Sequence, residues 1–178
     1  MIRRAEAKDI PGLLRLLSQI ADLHRAGRPD MFKQESDIKK YDEAELAELL
    51  ENENRPIFVA VGNADSYEKI SSGPGAIPGT VMNHCNESVQ GYCFCIVRKT
   101  THPVLAEHLT LHIDDFCVDK SIRGKGIGKK LFTEVQNFAK ECGAYNIDLN
   151  VWAFNNSAIK FYESLGFDVQ RYTMEKKL

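Results

Sequence analysis

An α+β fold is what this sequence predicts: a mixed, mostly antiparallel sheet of about six to seven strands flanked by about four helices. Three observations carry that prediction. The apolar spacing switches several times between the two-residue step of a strand and the longer step of a helix. The elements run strand, two helices, three strands, helix, strand, helix, strand, which is neither all-helical nor a strict alternation. At 178 residues, with 43% hydrophobic and 27% charged side chains, the chain has the size and make-up of one globular domain, 1–178.

Each element has its own reason. Ile2 to Arg4 is a short apolar-polar strand. Asp9 stands at the cap of a helix in which Leu13, Leu14, Leu16, Leu17, Ile20 and Leu23 recur at helical spacing. Pro11 fits its first turn, where a missing N–H costs nothing. Gly27 and the extended pair Arg28-Pro29 end it. Asp42 opens a second helix, with Leu46, Leu49 and Leu50 on one side and glutamates on the other. Residues 56–61 read as a buried strand. The Gly-, Pro-, Ser- and Asn-rich stretch 63–88 has no period, and we expect a flexible surface loop there. Strands follow at Gly91–Val97 and Thr110–Val118. A helix over Ile127–Cys142 buries Leu131, Phe132, Val135 and Phe138 and stops at Gly143. Ile147–Trp152 is a fifth strand, Asn156–Leu165 a helix stopped by Gly166, and Val169–Lys177 a last strand.

Composition excludes several function classes. A formal net charge of −2 gives no basic face for nucleic acid. The N-terminal stretch has no signal-peptide core and no apolar run is long enough to span a membrane, so a cytoplasmic protein without membrane partners is expected. Cys85, Cys93, Cys95, Cys117 and Cys142 show no Cys-x-x-Cys pairing. Cys93 and Cys95 share one face of a strand, so buried free thiols are expected. The histidines are scattered, and no metal set emerges.

The stretch Leu111–Lys130 organises the rest. An apolar strand ends at Val118, a polar turn follows, and Gly124, Gly126 and Gly128 lead into a helix. Such a turn offers main-chain N–H groups and a positive helix end to an anion, and Arg123, Lys125, Lys129 and Lys130 add cationic charge. A P-loop is excluded, because Gly128 is followed by Lys129 and Lys130 and no hydroxyl is present for magnesium. A dinucleotide fingerprint is excluded, because the fifth position after Gly124 is Lys129. What remains is Arg123-x-x-Gly126-x-Gly128 directly after a strand. A second constellation runs from Asn155 to Phe167, with Ala158, Ile159, Tyr162 and Leu165 on one side of a capped helix. Read from the residues alone, Tyr162 is equally a packing side chain.

These two runs resemble the signatures of the GNAT superfamily of acyl-CoA-dependent N-acetyltransferases. The first matches Arg/Gln-x-x-Gly-x-Gly/Ala. The second, Asn155-x-x-Ala158-x-x-Phe161-Tyr162-Glu163-x-x-Gly166-Phe167, matches the run whose tyrosine commonly acts as general acid. The resemblance implies acetyl-CoA as co-substrate and no metal. Its diphosphate would meet Arg123, Gly124, Lys125, Gly126, Ile127, Gly128 and Lys129. Phe116, Cys117 and Val118 would supply the oxyanion and pantetheine contacts, and Asn155 would lie near the acetyl end. Tyr162 would give its proton to the departing thiolate. Ile113-Asp114-Asp115-Phe116-Cys117-Val118 resembles the matching strand of the diamine acetyltransferase branch. That comparison favours Asp114 as the carboxylate that meets the acceptor amine, with Asp115 beside it. Successive strand residues point to opposite faces, so at most one is expected to look into the cleft.

The expected activity is direct acetyl transfer to a primary amine in a ternary complex, with a small amine or polyamine as acceptor. An acyl-cysteine on Cys117 would need a base, and His112 is expected on the other face. A protein N-terminus or lysine is the alternative acceptor. A non-catalytic acyl-CoA-binding regulatory module is the alternative class, against which the joint presence of Tyr162 and the acid pair argues. An exposed sheet edge would allow a homodimer.

Overall fold

Apolar strands with the spacing above assemble into one sheet in the computed structural model, which describes residues 1–34, 39–63 and 87–178. Its strands are β1 (Ile2–Arg4), β2 (Ile57–Asn63), β3 (Glu87–Lys99), β4 (Leu109–Val118) and β5 (Asn146–Leu149), in that spatial order. Neighbours from β1 to β4 are antiparallel, and β5 joins β4 in parallel. The parallel step needs a crossover, and α3 (Ile127–Glu141) supplies it. The other helices are α1 (Ile10–Gly27), α2 (Glu43–Leu50) and α4 (Asn156–Ser164).

The sheet separates two apolar clusters. On one face Leu13, Leu16 and Leu17 of α1 and Leu46 of α2 cover Val59, Tyr92, Phe94 and Cys117. On the other, Leu131, Phe132 and Val135 of α3 cover Phe58, Cys93, Cys95, Leu111 and Ile113. The shared face expected for Cys93 and Cys95 is present, with their sulfurs 3.5 Å apart. Caps follow the sequence at most ends. Asp42 accepts from the Glu45 N–H while Glu45 reaches back to the Asp42 N–H, and Gly143 takes a left-handed φ of 73° after α3. Asp9 departs from expectation. Its carboxylate accepts from the Glu6 N–H and from Arg3 at 2.6 and 3.0 Å, not from the first turn of α1.

Two expectations about strands are corrected. The sheet has five strands among the described residues, not six to seven. The tail 169–177 is exposed and forms no ladder; instead Glu175 pairs with Arg28 and Lys177 with Asp30, so charge rather than main-chain pairing ties it down. β5 also stops at Leu149, short of Trp152, whose ring turns to meet Phe32 and Phe154. The loop expected at 63–88 lies outside the described residues but for its ends, which belong to β2 and β3. Cys85 lies outside them as well.

The feature that positions the site is a bulge in β4. Phe94 of β3 stands opposite Asp115 while Cys95 stands opposite Ile113, so Asp114 is one residue too many. An extra residue flips every later side chain to the other face. Leu111 and Ile113 accordingly lie under α3, whereas Cys117 lies under α1.

Candidate active site

β4 and β5 part company at the bulge. Their pairing runs from Thr110↔Asn146 to Ile113↔Leu149 and ends, while β4 continues to Val118. From Asp114 onward, the peptide groups of β4 that face away from β3 have no strand beside them among the described residues. A cavity of about 620 Å³ opens at this divergence. Its floor includes Asp114, Asp115, Phe116 and Leu149, with Asn155, Ala158 and Tyr162 from α4 on one side. Ile20 and His24 of α1, Phe32 and Lys40 form the roof.

The bulge overturns the expectation that only one aspartate can look into the cleft. Asp114 and Asp115 both line the cavity, and a carboxylate oxygen of each lies 3.1 Å from Lys40 Nζ. Asp115 also accepts a hydrogen bond from the buried Tyr92 hydroxyl at 3.1 Å, which fixes its orientation from the α1 side. Arg55 stands 4.0 Å from Asp114. Burial alone would lower the Lys40 pKa, but Asp115 and Asp114 outweigh it and the net direction is up.

The glycine turn sits at the far end of β4. Asp119, buried, accepts from the Ser121 N–H and hydroxyl and pairs with Arg15, which holds the start of the turn against α1. Gly124 and Gly126 adopt φ of 81° and 76°, where a Cβ would be strained. Arg123 Nε donates to the Val118 carbonyl at 3.0 Å, folding that side chain back along the strand end. The first N–H of α3 to find a helical acceptor is that of Lys130, on the Gly126 carbonyl at 3.1 Å. The N–H groups of Ile127, Gly128 and Lys129 therefore have no intrahelical partner, and among the described residues no side chain caps them. The turn fits an anion. A Cβ on Gly128 would stand 3.1 Å from Phe161 Cζ, so the first turn of α3 lies directly on α4.

Tyr162 projects from α4 between Phe116, Phe161 and Phe167, with ring centroids 6.3, 5.3 and 5.5 Å away. Tyr162 lines the cavity, and among the described residues no hydrogen bond to its hydroxyl is found. Burial, and after it the neighbouring Cys93, Asp115 and Cys117, push the phenol well above its ordinary range. Cys117 is a core residue: its thiol donates to the Leu16 carbonyl and burial raises its pKa to about 12. Asn155 caps α4 by accepting from the Ala158 N–H at 3.2 Å while also lining the cavity.

Sequence reasoning missed two contributors. Lys40 and Arg55 reach the acid pair across long sequence separations, and no local pattern signals them. His24, Phe32, Trp152 and Phe154 form a chain of ring contacts at the cavity mouth, with the Arg28 guanidinium 5.7 Å from the Trp152 ring centre. Among the described residues, no group of three or more His, Cys, Asp or Glu is placed to hold a metal ion, and no helix is long and apolar enough to cross a membrane.

A glycine turn with unpartnered helix N–H groups and an acid pair thus lie at opposite ends of the half of β4 that leaves β5. The chain belongs to the acetyltransferase (GNAT) family, whose model matches residues 19–167. Over 166 residues it is 25% identical to the thialysine N-epsilon-acetyltransferase of Bos taurus, covering 93% of this chain and 82% of that one. A stretch of 67 residues is 34% identical to the glucosamine 6-phosphate N-acetyltransferase of Trypanosoma brucei brucei; it covers 38% of this chain and 44% of that relative, less than half its length. Among solved structures, the tetramutant of the BH1408 protein from Bacillus halodurans superposes with a TM-score of 0.82 at 26% identity, covering 100% of this chain and 99% of that one.

Proposed function

We propose that the chain is an N-acetyltransferase moving an acetyl group from acetyl-CoA to a primary amine of a small molecule, a polyamine being one such acceptor. The observation that carries this reading is the bulge, which turns two adjacent carboxylates toward the cavity that Tyr162 also lines. The diphosphate of acetyl-CoA would meet the N–H groups of the turn from Arg123 to Lys129. Its pantetheine would lie along the unpaired side of Phe116, Cys117 and Val118, adding its own hydrogen bonds where β5 has left. The thioester then arrives beside Phe116 and Tyr162.

The acceptor enters as an ammonium, drawn by Asp114 and Asp115, and must lose a proton before it attacks. Either carboxylate can take that proton directly or through water. The free amine forms a bond to the acetyl carbon, and the oxyanion is held by main-chain N–H groups at the end of β4. As the carbon–sulfur bond breaks, Tyr162 donates a hydrogen bond and then its proton to the leaving thiolate. A phenol pushed upward by burial is fully protonated near neutral pH, as a donor must be. The high pKa of Cys117 and its place in the core speak for direct transfer over an acyl-cysteine.

A panel of small amines and polyamines with acetyl-CoA, read as thiol released, tests the activity. Tyr162→Phe should lower kcat by roughly 10² to 10⁴ with acetyl-CoA affinity nearly unchanged. A protein that binds acetyl-CoA but releases no thiol with any amine would instead be the regulatory module.

A further inference from the structure

The acid pair already holds a primary amine, and that amine belongs to this chain. Lys40 Nζ lies 3.1 Å from a carboxylate oxygen of Asp114 and 3.1 Å from one of Asp115, in the cavity that Tyr162 lines. Its charge is compact, its ammonium nitrogen stands 5.4 Å from the Tyr41 ring centre, and its side chain keeps 41% of its exposure. A free alkylammonium acceptor would present the same group to the same two oxygens. From this juxtaposition we propose that Lys40 is a self-acetylation site, the chain acting as its own acceptor when no amine occupies the cleft. The inference rests on the transferase reading above.

The step balances as it does for a free acceptor. Lys40 Nζ gives a proton to Asp114 or Asp115, forms a bond to the acetyl carbon, and the carbon–sulfur bond of acetyl-CoA breaks. Tyr162 protonates the thiolate, the second proton of the attacking nitrogen passes to the resulting phenolate through water, and CoA and an Nζ-acetyl-lysine are left. The product amide carries no charge, so both ion pairs are lost. Asp115 keeps the Tyr92 hydroxyl and Asp114 keeps Arg55 at 4.0 Å, but the competing lysine charge is gone, so one acetylation per chain would strengthen binding of an incoming ammonium.

The full chain incubated with acetyl-CoA and no amine, then read by intact mass and peptide mapping, tests this. One acetyl group per chain is expected, at Lys40, at a rate per molecule independent of protein concentration. It should form many times faster than at the exposed Lys120 or Lys176, and Tyr162→Phe should abolish the preference. Lys40→Gln, an uncharged stand-in for the acetylated side chain, should lower the KM for amine severalfold. Thiol release with added amine while Lys40 stays unmodified would overturn the self-acetylation and leave the transferase standing. Equal labelling of Lys40 in Tyr162→Phe would also overturn it, since the modification would then be uncatalysed. No thiol release and no binding of acetyl-CoA would overturn the transferase, and this inference with it.

Discussion

The two halves of β4 were built from the same kind of sequence and do different work. From Thr110 to Ile113 the strand is paired on both sides, its side chains are buried, and its polar members are matched across the ladder: Thr110 donates to Asn146 at 2.7 Å and His112 meets Asp148 at 2.6 Å. From Asp114 to Val118 it has a partner on one side only, its faces are exchanged, and four of its five side chains are partly open. One extra residue separates them. A structural strand becomes a candidate catalytic edge because the bulge turns both carboxylates one way and lets β5 leave.

Removing that residue should break the distinction most severely. Deletion of Asp114 closes the bulge: Ile113 and Asp115 become consecutive opposite Cys95 and Phe94, so the later side chains keep their faces while one carboxylate of the pair and the bulged backbone are lost. We expect no detectable thiol release with acetyl-CoA and an amine, while a cooperative unfolding transition is kept.

A smaller effect separates the end of the outer half from the rest. Burial pushes the Asp119 carboxyl up, but the Ser121 N–H, Arg15 and the Ser121 hydroxyl bring it down to about 2. A folded pKa below the unfolded one stabilises above the unfolded value and is lost as pH falls. About 2 kcal/mol should therefore disappear between roughly pH 4 and pH 2. Urea unfolding across that window checks it: Asp119→Asn should be less stable at neutral pH and lack that part of the acid dependence.

Two glycines with nearly equal backbones sharpen the comparison further. Gly126 and Gly143 have φ of 76° and 73°, at opposite ends of α3. Valine at either position meets a left-handed penalty of about 1–2 kcal/mol or more. Both variants should unfold earlier by a similar amount, but only Gly126→Val should weaken acetyl-CoA binding, as titration calorimetry would read. The smallest effect belongs to the inner half. Thr110→Val leaves the Asn146 oxygen unpaired and should cost about 1 kcal/mol of stability, with kcat/KM unchanged.

How legible these regions were follows the range of the forces involved. Capping at Asp42, the stops at Gly143 and Gly166 and the turn through Gly126 are local, and the sequence displays them directly. The bulge is local too, but its signal was only an anomaly, two acids inside an apolar strand, which alternation rules misread as one facing in and one facing out. Lys40 and Arg55 meet the acids through tertiary folding, so nothing near them in sequence announces it. The tail misled because Val169, Tyr172 and Met174 have strand-forming character, yet a four-residue β5 gives them no ladder, and the pairs Arg28–Glu175 and Asp30–Lys177 hold the segment elsewhere.

The contact between Gly128 and Phe161 acts as a gauge block. A glycine against an aromatic ring leaves no compressible side chain between the turn before α3 and the helix that bears Tyr162. On the proposed reading, the reach from bound coenzyme to phenol would thereby be machined into the backbone, and any bulk added at Gly128 would lengthen it.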